Sequence, residues 1–124
     1  MDKEIIYKDL SYEIIGVAME AHRELGNGFL EKVYENALMV LLNERGIKAE
    51  QQKEIKVYFR GAIIGNYIAD ILIEDSIIVE LKTVERIVDI HRAQVMNYLK
   101  ATRLKLAMII NFKNKSLEYE RIVL

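Results

Sequence analysis

Tyr67-Ile68-Ala69-Asp70-Ile71-Leu72-Ile73 and Ile77-Ile78-Val79-Glu80-Leu81-Lys82 are the two runs whose reading decides how this chain folds. Both are rich in β-branched residues and read as strands, with Asp75-Ser76 as a turn between them. Both also hold charged groups inside segments that otherwise look buried. An isolated buried carboxylate costs several kcal/mol unless it is paired, protonated or bound to a metal. Side chains alternate along a strand, so Glu80 and Lys82 share one face. A strict two-residue turn sets Asp70 opposite Leu81, on the wrong face. A three-residue turn or a bulge sets it opposite Glu80, beside Lys82, because a one-residue slip exchanges faces. The second register is the expectation here. It brings two carboxylates to the short separation a hard cation requires.

Further elements flank this hairpin. Ser11 is placed to cap a first helix, with Leu10 and Ile15 as a hydrophobic staple. Ile14, Val17, Ala18, Ala21 and Leu25 then recur at helical spacing, and Gly26 is the stop. A second helix is expected from about Leu30 to Arg45, on the stripe Val33, Tyr34, Ala37, Leu38, Leu41 and Leu42, ended by Gly46. Ile55 to Phe59 reads as a strand, and Ile63 to Ile73 as the next, interrupted at Gly65. Asp89 to Thr102 is a third helix, Leu106 to Phe112 a strand buried on both faces, and Leu117 to Val123 a last strand. The order α-α-β-β-β-α-β-β implies an α/β fold with a mixed sheet flanked by helices.

A chain of 124 residues fits a single domain over 1–124 and needs no covalent staple. It has no cysteine, which excludes disulfides, thiolate zinc sites and cysteine nucleophiles and suits a reducing cytoplasm. Asp2, Lys3, Glu4, Lys8 and Asp9 leave no apolar core for a secretory signal. The longest apolar run, near Leu106 to Ile110, falls far short of the roughly 18 residues of a membrane span. The chain is therefore expected to be soluble, with no membrane partner. A net charge of −1 gives no support for non-specific DNA binding, although a local basic groove is compatible with it.

Two other pairs stand out. Glu31 and Tyr34, in Gly28-Phe29-Leu30-Glu31-Lys32-Val33-Tyr34, are one turn apart at a helix start, where an acid is also stabilised by the helix dipole alone. Gln94 and Tyr98 share a face of the third helix, which is equally the pattern of a polar helix edge.

In combination these residues resemble a known family. Gly28-x-x-Glu31-x-x-Tyr34 is the motif that names the GxxExxY proteins, which are placed in the PD-(D/E)XK nuclease superfamily. The likeness runs from Leu10 to Val123 and includes Ala21 to Gly26, Val79 to Lys82 and Ala93 to Thr102. The order Glu, Asp, Glu-x-Lys, Gln-x-x-x-Tyr also resembles that of RecB-like nucleases. Ala69 departs from the superfamily's proline, Asn27 stands where a proline is expected, and Ile68 where a basic residue is expected.

The resemblance implies a restriction-endonuclease-like core that cleaves phosphodiester bonds in DNA with Mg²⁺ or Mn²⁺. Asp70, Glu80 and the Leu81 backbone carbonyl are the implied metal ligands, with Glu31 completing the site. Lys82 is implied to orient the attacking water or stabilise the transition state, and Gln94 to hold the site. Tyr34, Tyr98 and His91 are candidate substrate contacts; His22 is a weaker candidate, and a surface histidine is the simpler reading of both. Lys8, Arg60, Arg86, Arg92, Lys100 and Arg103 are candidates for a phosphate groove or, more simply, a solvated surface. Two other readings compete: a nucleic-acid-binding or regulatory module that keeps the fold without cleaving, and a structural domain with a buried Asp/Glu/Lys ion-pair cluster. The apolar faces of so small a sheet suggest a homodimer, and an unidentified protein partner is compatible with the regulatory reading.

Overall fold

The computed structural model describes residues 6–124, so Asp2, Lys3 and Glu4 lie outside it. Its elements run α1 (Lys8–Leu25), α2 (Glu31–Glu44), β1 (Ala49–Phe59), β2 (Ala62–Ile73), β3 (Ile77–Lys82), α3 (Asp89–Thr102), β4 (Leu106–Asn111) and β5 (Glu118–Val123). This is the order expected from the sequence. The five strands form one sheet in chain order. β1–β2, β2–β3 and β4–β5 pair antiparallel, whereas β3 and β4 pair parallel across the α3 crossover.

Two cores result. Ile14, Val17, Leu38 and Leu42 of α1 and α2 pack with Ile71, Val79, Leu81, Met108 and Ile110 on one face. Val95 and Leu99 of α3 pack with Leu72, Ile78, Ala107 and Ile109 on the other. Each fully buried aliphatic side chain contributes roughly 1.5–3 kcal/mol. Helices thus cover both faces of the central strands. Apolar side chains stay exposed elsewhere on the sheet, with Tyr58, Phe59, Ile63, Ile64 and Ile68 on β1 and β2.

Three boundaries differ from the sequence reading. Ser11 does not cap α1: its N–H donates to the Tyr7 carbonyl at 2.8 Å and its Oγ to that of Lys8 at 3.1 Å, inside a helix that begins one turn earlier. Partly buried Ile6 and Leu10 pack on the core and extend the apolar stripe backwards. β1 starts at Ala49 rather than Ile55, because a polar strand is stable at a sheet edge where half its groups face water. α2 begins at Glu31 and ends at Glu44, with Arg45 as its cap. Gly26 does stop α1, at φ 74°, donating to the His22 carbonyl at 2.8 Å.

Candidate active site

Three residues, Glu74, Asp75 and Ser76, separate the paired Ile73 and Ile77. Glu74 and Asp75 adopt φ 51° and 54°, the left-handed region that lets a short loop reverse the chain. This is the longer of the two possible turns, and it sets the register Ile71↔Val79, Leu72↔Ile78, Ile73↔Ile77. The next position brings Asp70 to Glu80, as expected. There the backbone ladder gives way to side chains. The Asp70 N–H donates to Glu80 Oε1 at 3.0 Å, and the Leu81 N–H donates to Asp70 Oδ2 at 2.8 Å.

The opposite edge of β2 explains why this position is open. β1 pairs Gln51 with Ile71 and Lys53 with Ala69, but Gln52 and Asp70 are not paired. Gln52 sits at φ 53°, a conformation that costs a non-glycine residue roughly 1–3 kcal/mol. Its side chain is drawn to Glu35, on whose Oε1 it donates at 2.9 Å. Gln51 donates to Glu35 Oε2 at 2.6 Å and Lys32 to the same oxygen at 2.8 Å. Glu35 is only 3% exposed and anchors α2 to the kink in β1. The sequence reading missed it. Its signal was weak: an acid one turn beyond Glu31 on the same helical face.

The electrostatics are those of crowded carboxylates. Glu80 is 4% exposed, and burial, reinforced by the Asp70 charge, pushes its carboxyl up to about 8. Burial also raises Asp70, against the Leu81 N–H that favours its charged form. Half-buried Glu31, at the first position of α2, is raised by burial and by Asp70, with Lys82 acting in the opposite direction. Both carboxyls of the pair are thus displaced toward the protonated form, and the proton belongs to the Asp70/Glu80 pair. Lys82 alone does not neutralise the cluster.

Tyr98 is pushed up to about 12, first by burial and then by the charges of Glu80 and Asp70. Its hydroxyl accepts from Gln94 Nε2 at 3.0 Å, so α3 delivers the Gln94/Tyr98 pair to the acid cluster. His91 accepts the Val88 N–H on Nδ1 at 3.1 Å. Its proton therefore sits on Nε2 when the ring is neutral. It shares with Gln94 and Tyr98 a groove of about 550 Å³ beside Tyr67.

Other candidates fall elsewhere. Tyr34, expected to touch substrate, is 0% exposed. It stacks on Phe112 at 4.5 Å, donates to the Gly26 carbonyl at 2.6 Å and accepts the Phe29 N–H at 3.3 Å. It is a clasp on the Gly26–Phe29 loop, which delivers Glu31 to the site from the start of α2. Arg92 is not available to phosphate: it holds both Glu120 oxygens at 2.7 Å and Asp89 at 2.7 Å. His22 meets the Asn114 carbonyl at 2.8 Å, on another part of the chain.

Among the described residues no three or more histidine or acid side chains close into a ready cage. Asp70 and Glu80 instead hold strand amides. The donor chemistry nonetheless fits a hard divalent cation. Asp70, Glu80 and Glu31 are oxygen donors, all three raised first by burial and next by the charge of a neighbouring carboxylate, which a bound cation would offset. The Leu81 N–H donates to Asp70, which ties the residue whose carbonyl is the fourth implied ligand to the acid pair.

Residues 8–122 match the profile of the PD-(D/E)XK nuclease superfamily. The chain belongs to that superfamily. Its mixed five-stranded sheet with three helices is the superfamily's nuclease-like fold. The crystal structure of SSO0001 superposes with a TM-score of 0.59 at 20% identity, covering 74% of this chain and 48% of that one. This chain thus spans about half the length of that protein, and the likeness concerns the fold. An alkaline exonuclease from Laribacter hongkongensis gives a TM-score of 0.48 at 11% identity, over 99% of this chain and 72% of that one. No curated protein matches the chain. No helix among the described residues is long and apolar enough to cross a membrane.

Proposed function

We propose that this PD-(D/E)XK superfamily member is a nuclease that hydrolyses phosphodiester bonds in DNA with Mg²⁺ or Mn²⁺. The observation that carries the reading is the Asp70–Glu80 carboxylate pair, set side by side where the β2–β3 ladder stops, with Lys82 on the same strand face as Glu80. Within the superfamily, Gly28, Glu31 and Tyr34 favour the GxxExxY family. Residues 1–124 are read as one domain, and the cysteine-free composition suits the cytoplasm.

Asp70 and Glu80 hold the cation in this reading, and Glu31 completes its oxygen set. Bound there, such an ion would supply a water of lowered pKa and would offset charge on the phosphate. Loading the site requires the Asp70/Glu80 pair to give up its proton. Lys82 supplies a fixed positive charge where negative charge grows on the phosphate oxygens. Gln94 holds the Tyr98 hydroxyl at the rim. His91 is placed to touch substrate through Nε2.

The test is a panel of single-stranded, linear duplex and supercoiled DNA, with RNA alongside, incubated with Mg²⁺ or Mn²⁺. Wild type is expected to cut DNA, and Glu80→Gln and Lys82→Ala are expected to be at least about 100-fold slower. Calorimetry should show Mn²⁺ binding lost in Glu80→Gln and largely kept in Lys82→Ala. Cleavage that persists undiminished in both variants, or Mn²⁺ bound equally by Glu80→Gln, removes the assignment.

A further inference from the structure

Beside the acid site, α3 and the β1–β2 hairpin enclose a second groove segment of about 550 Å³, lined by Val57, Tyr58, Tyr67, Asn97, Lys100 and Arg103 among others. It continues the groove at His91, Gln94 and Tyr98, because Tyr67 and Asn97 line both. Tyr67 stands three residues before Asp70 on β2, and its ring lies 5.5 Å from that of Tyr98. Tyr98 and its partner Gln94, both candidate site residues, line the adjoining segment, so the track adjoins the α3 side of the site.

Its chemistry is specific. No acid lines either segment. Lys100 and Arg103 are exposed and form no ion pair among the described residues, unlike Arg92. Tyr58 is 61% exposed and Tyr67 46%, which is costly for rings with nothing to cover them. Arg103 also caps α3 at φ 64°, where glycine is the comfortable residue. A strained arginine at that corner keeps a guanidinium at the groove's end.

We propose that this groove carries a single-stranded segment of nucleic acid, its bases stacked on Tyr58 and Tyr67 and its phosphates against Lys100 and Arg103. Exposed rings interleaved with unpaired cations match a polyanion whose rings are free to stack, and only unpaired bases offer their faces in this way. The proposal rests on the nuclease reading of the neighbouring acids and names the form of substrate that they would receive.

Anisotropy with labelled oligo(dT), oligo(rU) and a duplex of equal length, in chelator, tests it without cleavage. Oligo(dT) or oligo(rU) is expected to bind more tightly than duplex, and the stronger of the two identifies the sugar preferred. Tyr58→Ala should weaken that binding about tenfold and leave duplex binding unchanged. Lys100→Ala with Arg103→Ala should flatten the slope of log affinity against log salt by about 1.4. Both changes are at exposed positions, and far-UV circular dichroism confirms that the variants fold. Single-strand binding without cleavage in metal would leave the groove standing and defeat the nuclease reading. Cleavage without single-strand preference, or variants that bind as wild type does, would overturn the groove alone.

Discussion

In a chelating buffer the protein is expected to lose stability as pH rises from about 5 to about 8, and Glu80→Gln is expected to remove most of that loss. The Glu80 carboxyl has an ordinary value of 4.5 and stands at about 8 in the fold. Between those values the unfolded chain has released this proton and the folded chain still holds it. The folded state then binds more protons, so stability falls with rising pH. Asp70 and Glu31 are displaced upward too and act with the same sign. Glu120, held low by Arg92, acts oppositely, but only as pH falls below the usual carboxylate range. At about 1.4 kcal/mol per pH unit, the Glu80 displacement corresponds to about 3–5 kcal/mol. Glutamine mimics the protonated acid: its oxygen can accept the Asp70 N–H and its amide can donate to the Asp70 carboxylate. Urea unfolding followed by circular dichroism at stepped pH measures the effect. Mn²⁺ should restore wild type near pH 8 and leave Glu80→Gln unchanged. A wild-type curve that is flat or rising over this range, or one parallel to that of Glu80→Gln, refutes the reasoning.

Tyr34→Phe should cost about 1–2 kcal/mol in urea unfolding, since it strips the Gly26 carbonyl and the Phe29 N–H of a partner while keeping the Phe112 stack. Glu35→Ala removes the acceptor that Gln51, Gln52 and Lys32 share, although Gln51 keeps Asn36, and should cost about 1–2 kcal/mol; a near-neutral result would deny Glu35 its anchoring part. Arg92→Ala should lower the melting temperature by uncoupling α3 from β5, yet leave the salt dependence of oligonucleotide binding as it was. A reduced salt slope in that variant would mean that Arg92 touches phosphate after all.

The sequence by itself determined the elements and the identity of the central acids. Periodicity gave α1, α2 and α3, continuous apolar runs gave the buried strands, and the cost of burying Asp70 and Glu80 marked them as more than core. Even the three-residue turn was legible once those two acids were required to meet. Only the tertiary structure decided the surroundings. A tyrosine one turn after an acid looks the same in sequence whether it faces solvent or Phe112, so Tyr34 passed for a substrate contact. The polar start of β1 carries no strand signal, because an edge strand gains its stability from its neighbour and not from its own composition. Glu35 and the kink at Gln52 depend on α2 meeting β1, a contact between segments whose local sequences do not encode each other.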